Sequence, residues 1–298
     1  MNITALINAL PGACAQGLIW GIMAIGVFIT YKVLDIADLT VDGTMCTGGA
    51  VCVMLMLNGV NVWLALLCAL IAGMLAGFVT GILHTVMGIP AILAGILTQL
   101  ALYSINLRIL GSSNQAISVR KYPLLLSLLH IPQAALITAL FIAALIAILY
   151  WFFGTELGCS LRATGCNMAM ARAQGINTSF TRVLGLMISN GIVALSSALF
   201  SQYQGFADIN MGRGAIVIGL AAVIIGEVLF GKLFKNFALR LLAVALGAVL
   251  YYLVIQAVLW LGLNTDDLKL LTALVVAVFL SVPYLRSKYF RKGARGRA

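Results

Sequence analysis

The chain has 298 residues, of which 63% are hydrophobic and only 9% are charged. A soluble domain carries about a quarter charged residues, so this composition excludes an ordinary soluble protein. The net charge of +10 comes from 18 Lys and Arg against 8 Asp and Glu, and in a membrane protein such an excess sets orientation without requiring nucleic acid as a partner.

Long apolar runs separated by Gly, Pro, Asn or charged residues follow one another along the whole chain. A membrane helix needs roughly 20 apolar residues, whereas barrel strands read as alternating segments of about ten. The sequence therefore predicts an all-α polytopic membrane protein with about 8–10 transmembrane helices. We place them at residues 12–31, 43–58, 61–84, 89–107, 133–153, 180–203, 214–231, 237–260 and 267–285.

Two stretches of the chain resemble each other, Ile36-Ala-Asp-Leu-Thr-Val-Asp-Gly43 and Phe206-Ala-Asp-Ile-Asn-Met-Gly-Arg-Gly214. Each follows one long span and precedes a short Gly-rich helix and two further spans. This order predicts one transmembrane domain, 1–298, made of two inverted repeat halves at about 12–107 and 180–285. A linking helix at about 133–153 joins them, and a basic cytoplasmic tail, 286–298, follows. Chance similarity of two Ala-Asp dipeptides is the alternative.

The segment 154–180 is the main polar interruption of the apolar spans. A simple connection between two helices could be much shorter, and this segment has two arginines and enough Ala and Met for a short helix. Most basic residues fall on its side of the membrane, which predicts that it is cytoplasmic and that the N-terminus lies outside. We interpret the segment as a docking surface for a partner. The basic tail predicts contact with anionic membrane lipid.

A glycine stripe at Gly73, Gly77 and Gly81 has the four-residue spacing that lets helices approach closely in lipid, and we interpret it as a packing device. Asn106 and Arg108, at the end of the fourth predicted span, are interpreted as anchors at the membrane interface.

Acidic and polar residues near the predicted helix breaks are candidates for a solute pathway, because transporter sites use such breaks. They are Asp38, Thr40, Asp42, Asp208 and Asn210. The alternative is that they cap exposed helix N–H groups.

Glu227 is the remaining candidate for the solute pathway. It lies about one turn from the end of its predicted span. It either pairs with Lys232 or reaches the interface, or it serves a gating role between helices.

Motifs for catalysis and for tightly bound cofactors are absent from the sequence. There is no GxxxxGK[ST] phosphate loop, no CxxC pair, and only His84 and His130 could supply imidazole. The sequence therefore predicts no catalytic residues, no metal site and no cofactor in this chain.

Three further motifs resemble those of one family: Asp38-Leu-Thr-Val-Asp-Gly43, Ala91-Ile-Leu-Ala-Gly-Ile-Leu-Thr98 and Leu102-Tyr-Ser-Ile-Asn-Leu-Arg-Ile-Leu-Gly111. Gly158-Cys-Ser-Leu-Arg-Ala-Thr-Gly-Cys-Asn-Met-Ala-Met-Ala-Arg-Ala-Gln-Gly-Ile-Asn177 is similar to the family's cytoplasmic coupling segment. The chain resembles inner-membrane permeases of ABC importers in the branched-chain amino acid and ribose permease superfamily. The similarity is greatest to the tryptophan- or tyrosine-type subgroup.

This resemblance implies a bacterial inner-membrane permease that moves a small polar solute, with an aromatic amino acid favoured, into the cytoplasm. It implies three kinds of partner: a separate ABC ATPase that carries the ATP and Mg²⁺, a periplasmic or lipoprotein solute-binding protein, and a second permease copy that forms a homodimer. The residues implied to couple to the ATPase are Leu161, Arg162, Gly165, Asn167, Ala171, Arg172, Gly175 and Ile176. Cys159, Cys166 and Met168 depart from the usual, more polar pattern.

Two other function classes remain open on the residues alone. A self-contained ion-coupled secondary transporter would need carboxylates or polar helix breaks at mid-membrane depth, and Glu227 near one interface supports it poorly. An integral membrane enzyme would need a His or acidic cluster at one depth, which the sequence does not supply.

Overall fold

A computed structural model describes residues 3–119, 121–122, 124–231, 233–260, 270, 272–274, 276–278 and 281. Lys232, most of the predicted span 267–285 and the whole tail 286–298 lie outside the described residues. Within the described part, the elements in chain order are α1 Ile3–Phe28, α2 Thr40–Leu57, α3 Val62–Thr85, α4 Ala91–Leu110, β1 Asn114–Ala116, α5 Ile131–Gly154, α6 Glu156–Cys166, α7 Met168–Ala173, α8 Thr178–Gln204, β2 Phe206–Asp208, α9 Ala215–Phe230 and α10 Phe237–Trp260.

Among the described residues, seven helices are long and apolar enough to cross a membrane, and α9 is a shorter apolar helix. The predicted all-α polytopic class is confirmed. The first helix is longer than predicted, since α1 begins at Ile3 and continues through a π-helical turn, Ile29–Val33. The second begins at Thr40 rather than at residue 43, because an Asp38 carboxylate oxygen accepts the Thr40 backbone N–H at 2.9 Å and supports the first turn.

The glycine stripe of α3 faces α8 in the bundle. A Cβ added at Gly73, Gly77 or Gly81 would press on α8 backbone atoms. The interpretation of the stripe as a packing device is therefore confirmed, since side chains here would force the two helices apart.

The same kind of contact joins α1 to α10, where Gly17 and Gly21 lie against the backbone of Val249 and Ala245. The long contacts of α3 with α8 and of α10 with α1 are equivalent pairs if the chain consists of two related halves. The boundaries of those halves stay a prediction.

The bundle has two distinguishable ends. At one end, α6 lies against the π-helical turn after α1 and against α8; we call this the α6–α7 end. At the other, β1 pairs antiparallel with β2, with Asn114 opposite Asp208; we call this the strand end. The helices α2 and α9 start in the interior of the bundle. The first begins beside Asn190, near the midpoint of α8, and the second begins beside Asp42 in the first turn of α2.

Candidate functional site

The segment 154–180 folds as two short helices followed by the start of α8. Each start is capped by a side chain: Thr155 accepts the Gly158 N–H at 3.4 Å, Asn167 accepts the Met170 N–H at 3.0 Å, and Asn177 accepts the Phe180 N–H at 3.1 Å. One Thr and two Asn residues thus divide a segment for which the sequence predicted a single short helix.

Three of the predicted coupling residues hold this segment against the bundle. Leu161 is fully buried and approaches Gly185 of α8, and Ala171 is buried as well. Gly165 is pressed against the backbone carbonyl of Val33, in the π-helical turn. Because any larger residue would meet backbone there, Gly165 lets α6 sit directly on the end of α1.

Both arginines of the segment are held by the chain itself. A terminal nitrogen of Arg162 donates to the Phe153 carbonyl at 2.8 Å, and its guanidinium lies 5.9 Å from the centroid of the Phe237 ring. Arg172 Nε donates to the Thr178 hydroxyl at 2.8 Å. Their geometry is fixed before any partner binds.

The outer face of the segment is partly apolar. Met170 is 63% exposed, Phe180 is 53% exposed, and Leu157 is also exposed. None of these three residues was predicted from the sequence, although large apolar side chains within a polar segment are a signal that can be seen there. Around them lie Asn167, Arg172 and Gly175, which are exposed, and Ile176, which is half-buried.

A second set of polar residues forms a buried cluster in the middle of the bundle. Asp38 accepts the Asn190 side-chain amide at 2.7 Å, and the Asn190 carbonyl oxygen accepts the Thr44 hydroxyl at 2.7 Å. The hydroxyls of Thr40 and Thr80 lie 2.7 Å apart, and Thr80 donates to Thr98 at 2.9 Å.

This cluster connects α2, α3, α4 and α8 through hydrogen bonds. Asp38 and Thr40 are almost fully buried and brace helix ends. Their place on a solute path stays a prediction.

Asp42 is placed differently from its neighbours. Its two carboxylate oxygens accept the backbone N–H groups of Gly214 and Ile216, each at 3.0 Å. It therefore caps the N-terminus of α9, which has no side-chain cap from its own segment. Asp42 is thus a helix cap, but the first N–H group that it accepts lies 172 residues further along the chain.

Asp208 and Asn210 do not join the buried cluster. An Asp208 oxygen accepts the Asn210 backbone N–H at 2.6 Å, which repeats the local turn that Asp38 makes with Thr40. Asp208 lies in β2 at the strand end, and Asn210 is exposed.

A cavity of about 260 Å³ lies where α2, α4 and the loop before α9 meet. It is lined by Asp42, Gly43, Cys46, Gln99, Leu100, Tyr103, Asn106, Ile209 and Arg213. Among these lining residues, only Asp42 was predicted from the sequence to lie on the solute pathway.

Asn106 is fully buried at this cavity, so its interpretation as an interface anchor is wrong. Its amide nitrogen donates to the Gly43 carbonyl at 3.4 Å, while its side-chain oxygen has no hydrogen-bond partner among the described residues. A buried acceptor without a partner suits a polar ligand.

Glu227 lies away from this cavity. Its carboxylate forms an ion pair with Lys32 at 3.0 Å, linking α9 to the π-helical turn after α1. Both side chains are partly exposed, so the pair contributes little to stability. The structure thus pairs Glu227 with Lys32, and the alternative partner Lys232 lies outside the described residues.

Comparison with known proteins gives one family for nearly the whole chain. The family model described as "Branched-chain amino acid transport system / permease component" matches residues 11–282.

Two relatives of known name are similar in sequence. The chain is 40% identical over 281 residues to the "Tyrosine transport system permease protein" of Clostridioides difficile (strain R20291), covering 94% of this chain and 93% of the relative. It is 32% identical over 217 residues to the "Autoinducer 2 import system permease protein LsrC" of Salmonella typhimurium (strain LT2). That match covers 70% of this chain and 59% of the relative.

Among solved structures, "PsaBC from Streptococcus pneumoniae in complex with Fab" is similar with a TM-score of 0.54 and 16% identity. The match covers 94% of this chain and 95% of that chain, and at this identity it speaks for the fold alone.

Proposed function

Because the chain belongs to the family of branched-chain amino acid transport system permease components, we propose that it imports a small polar solute, most specifically an aromatic amino acid. At the coarser level, it is the permease component of an ABC transporter and a multi-pass inner-membrane protein. The family match over residues 11–282 carries this function. The proposed solute class rests on the relative named for tyrosine transport.

In this proposal, the α6–α7 end is cytoplasmic and binds a separate ATPase. ATP and Mg²⁺ belong to that partner. The outer face offers apolar groups, Leu157, Met170 and Phe180, beside the exposed cation Arg172. Exposed apolar side chains in a ring of polar ones are the usual anatomy of a protein interface. A second permease copy and a solute-binding protein at the strand end complete the assembly.

In this proposal, the solute path passes through the cavity between α2, α4 and the loop before α9. Arg213 can pair with a carboxylate, and Gln99 and Asn106 can hydrogen-bond to an amino acid's polar groups. Tyr103 adds an aromatic wall for an aromatic side chain. Asp208 and Asn210 lie nearer the strand end, on the side from which solute is delivered.

A contiguous series of contacts runs from the α6–α7 end to the start of α2, where Asp42 lines this cavity. Gly165 of α6 sits on Val33, and the next residue, Leu34, packs on Gly185. Four residues later, Asp38, just before the start of α2, accepts a hydrogen bond from Asn190 of α8. We propose that displacement of α6 is passed to the start of α2 along this series, which biases inward-open against outward-open states if nucleotide binds those states differently.

Met170→Glu is expected to weaken ATPase association by about tenfold or more, because it places an uncompensated charge in an apolar contact. Co-purification of the ATPase with the tagged permease measures it. Leu129→Glu is the matched control, since Leu129 is 64% exposed and lies in a short turn before α5. Equal recovery of the ATPase with Met170→Glu and wild type would remove the outer face from the interface.

The function itself is tested in proteoliposomes that contain the permease, the ATPase and the solute-binding protein. We expect tyrosine, tryptophan or phenylalanine to stimulate ATP hydrolysis several-fold, and leucine and ribose to leave it at the basal rate. Inward accumulation of the labelled solute checks the direction. Stimulation by ribose alone would refute the amino acid assignment and leave the ABC permease function intact.

A further inference from the structure

A cationic cavity of about 320 Å³ opens at the α6–α7 end, outside the proposed solute path. Four basic side chains from separate parts of the chain line it: Lys32, Arg162, Lys235 and Arg240. Phe28, Val33, Cys166 and Phe237 complete its lining, so no carboxylate stands among the described lining residues. Glu227 offsets one of the four charges through its pair with Lys32. Three cations remain directed at one concave space.

Next to this cavity lies an aromatic groove of about 490 Å³, formed by the end of α5 and the start of α10. Tyr150, Trp151, Phe153 and Phe237 are among its lining residues, and Trp151 is 72% exposed. The groove and the cavity share Arg162 and Phe237, so they adjoin at these two side chains.

The cavity and the aromatic groove lie at the depth of the membrane interface. Both lie where α5, α1 and α10 reach the α6–α7 end, and exposed Tyr and Trp side chains favour the headgroup level of a bilayer. A basic pocket between transmembrane helices, on the cytoplasmic side, has the chemistry that holds a lipid phosphate. The aromatic groove beside it has the chemistry that holds an acyl chain.

We propose that this cavity and groove bind one anionic phospholipid, with its phosphate on Arg162, Lys235 and Arg240 and an acyl chain along Tyr150 and Trp151. Arg162 uses one terminal nitrogen on the Phe153 carbonyl and keeps further N–H donors for the phosphate. The same arginine stacks on Phe237 and lies in α6. The bound lipid therefore touches α6 and α10 together, and it steadies the start of the series that leads from α6 to α1.

Native mass spectrometry of the full chain in detergent, with phosphatidylglycerol and phosphatidylcholine offered equally, tests this site. Lys235→Gln combined with Arg240→Gln is expected to weaken phosphatidylglycerol binding by about 30-fold, since each basic residue near a lipid surface contributes about fivefold. Phosphatidylcholine binding is expected to stay unchanged. Lys121→Gln, at an exposed position outside the cavity, is the single-charge control for Lys235→Gln and is expected to leave both lipids unaffected.

Two further arms separate the lipid from other anions. Excess inorganic phosphate is expected to leave the phosphatidylglycerol bound, because the acyl chain contributes to its affinity. Complete displacement of the lipid would overturn the proposal and assign the cavity to free phosphate. Equal phosphatidylglycerol binding in wild type and the Lys235, Arg240 variant would also overturn the proposal. Lost ATPase association with unchanged lipid binding would instead assign the cavity to the ATPase. The unfolding temperature of the double variant is compared with that of wild type, and lipid binding is also measured for the single variant Lys235→Gln, so that a folding defect is recognised.

Discussion

Gly165→Ala is expected to reduce solute uptake at least tenfold while the chain still inserts into the membrane. The added methyl group would meet the Val33 backbone carbonyl at the π-helical turn, where neither side can yield by a rotamer change. Overpacking of this kind costs about 1–3 kcal/mol. The least costly relief is for α6 to lift from the π-helical turn after α1, which breaks the first contact of the proposed series from the α6–α7 end to the start of α2.

Uptake into whole cells, normalised to the amount of permease in the membrane, measures this effect. Gly12→Ala is the matched control, because Gly12 is also a helical glycine and a Cβ there meets only one side-chain atom, at 4.0 Å. Normal uptake by Gly165→Ala would show that the α6 contact with α1 is not needed for coupling. An ATPase that hydrolyses ATP normally while uptake fails would support the proposed role directly.

Asp42→Ala is expected to lower the free energy of unfolding by about 2–4 kcal/mol and to abolish uptake. The substitution leaves the N–H groups of Gly214 and Ile216 without their acceptor inside the bundle, and it removes a negative charge from the N-terminus of α9. Asp42→Asn keeps one acceptor oxygen and is expected to fall between Asp42→Ala and wild type.

Thermal unfolding of the detergent-purified protein checks this series, with a shift on the order of 5 °C expected for Asp42→Ala. Asp35→Asn makes the same chemical change as Asp42→Asn, but at an exposed position before α2, and is expected to shift the midpoint little. A wild-type midpoint for Asp42→Ala would show that α9 does not depend on this cap.

The class of fold could be predicted from the sequence because run length and hydropathy decide it, and those are local properties. The start of α2 was missed by three residues, since Asp38 supports the first turn through a side-chain bond that hydropathy does not register. Gly73 and its stripe were interpreted correctly, because their spacing on one helix is visible without knowing which helix packs there.

The sites were less predictable because their geometry depends on contacts between distant parts of the chain. Asp42 was recognised as a cap or a pathway residue, but its actual partners lie 172 and 174 residues away. In the segment 154–180, a family motif marks positions without telling inward from outward faces. Leu161 is buried while Met170 is exposed, and only the docking of α6 and α7 on α8 decides that.

The cap that Asp42 provides for α9 runs in one direction only. If Asp38 and Thr40 correspond to Asp208 and Asn210, Asp42 corresponds to Gly212, which has no carboxylate to return. During synthesis the N-terminal part of a chain emerges and folds first. The acceptor on α2 is therefore already in the bilayer when the N-terminus of α9 arrives, and those N–H groups need not wait in lipid without a partner. The position of α2 before α9 in the chain thus supplies the acceptor before the donors that need it.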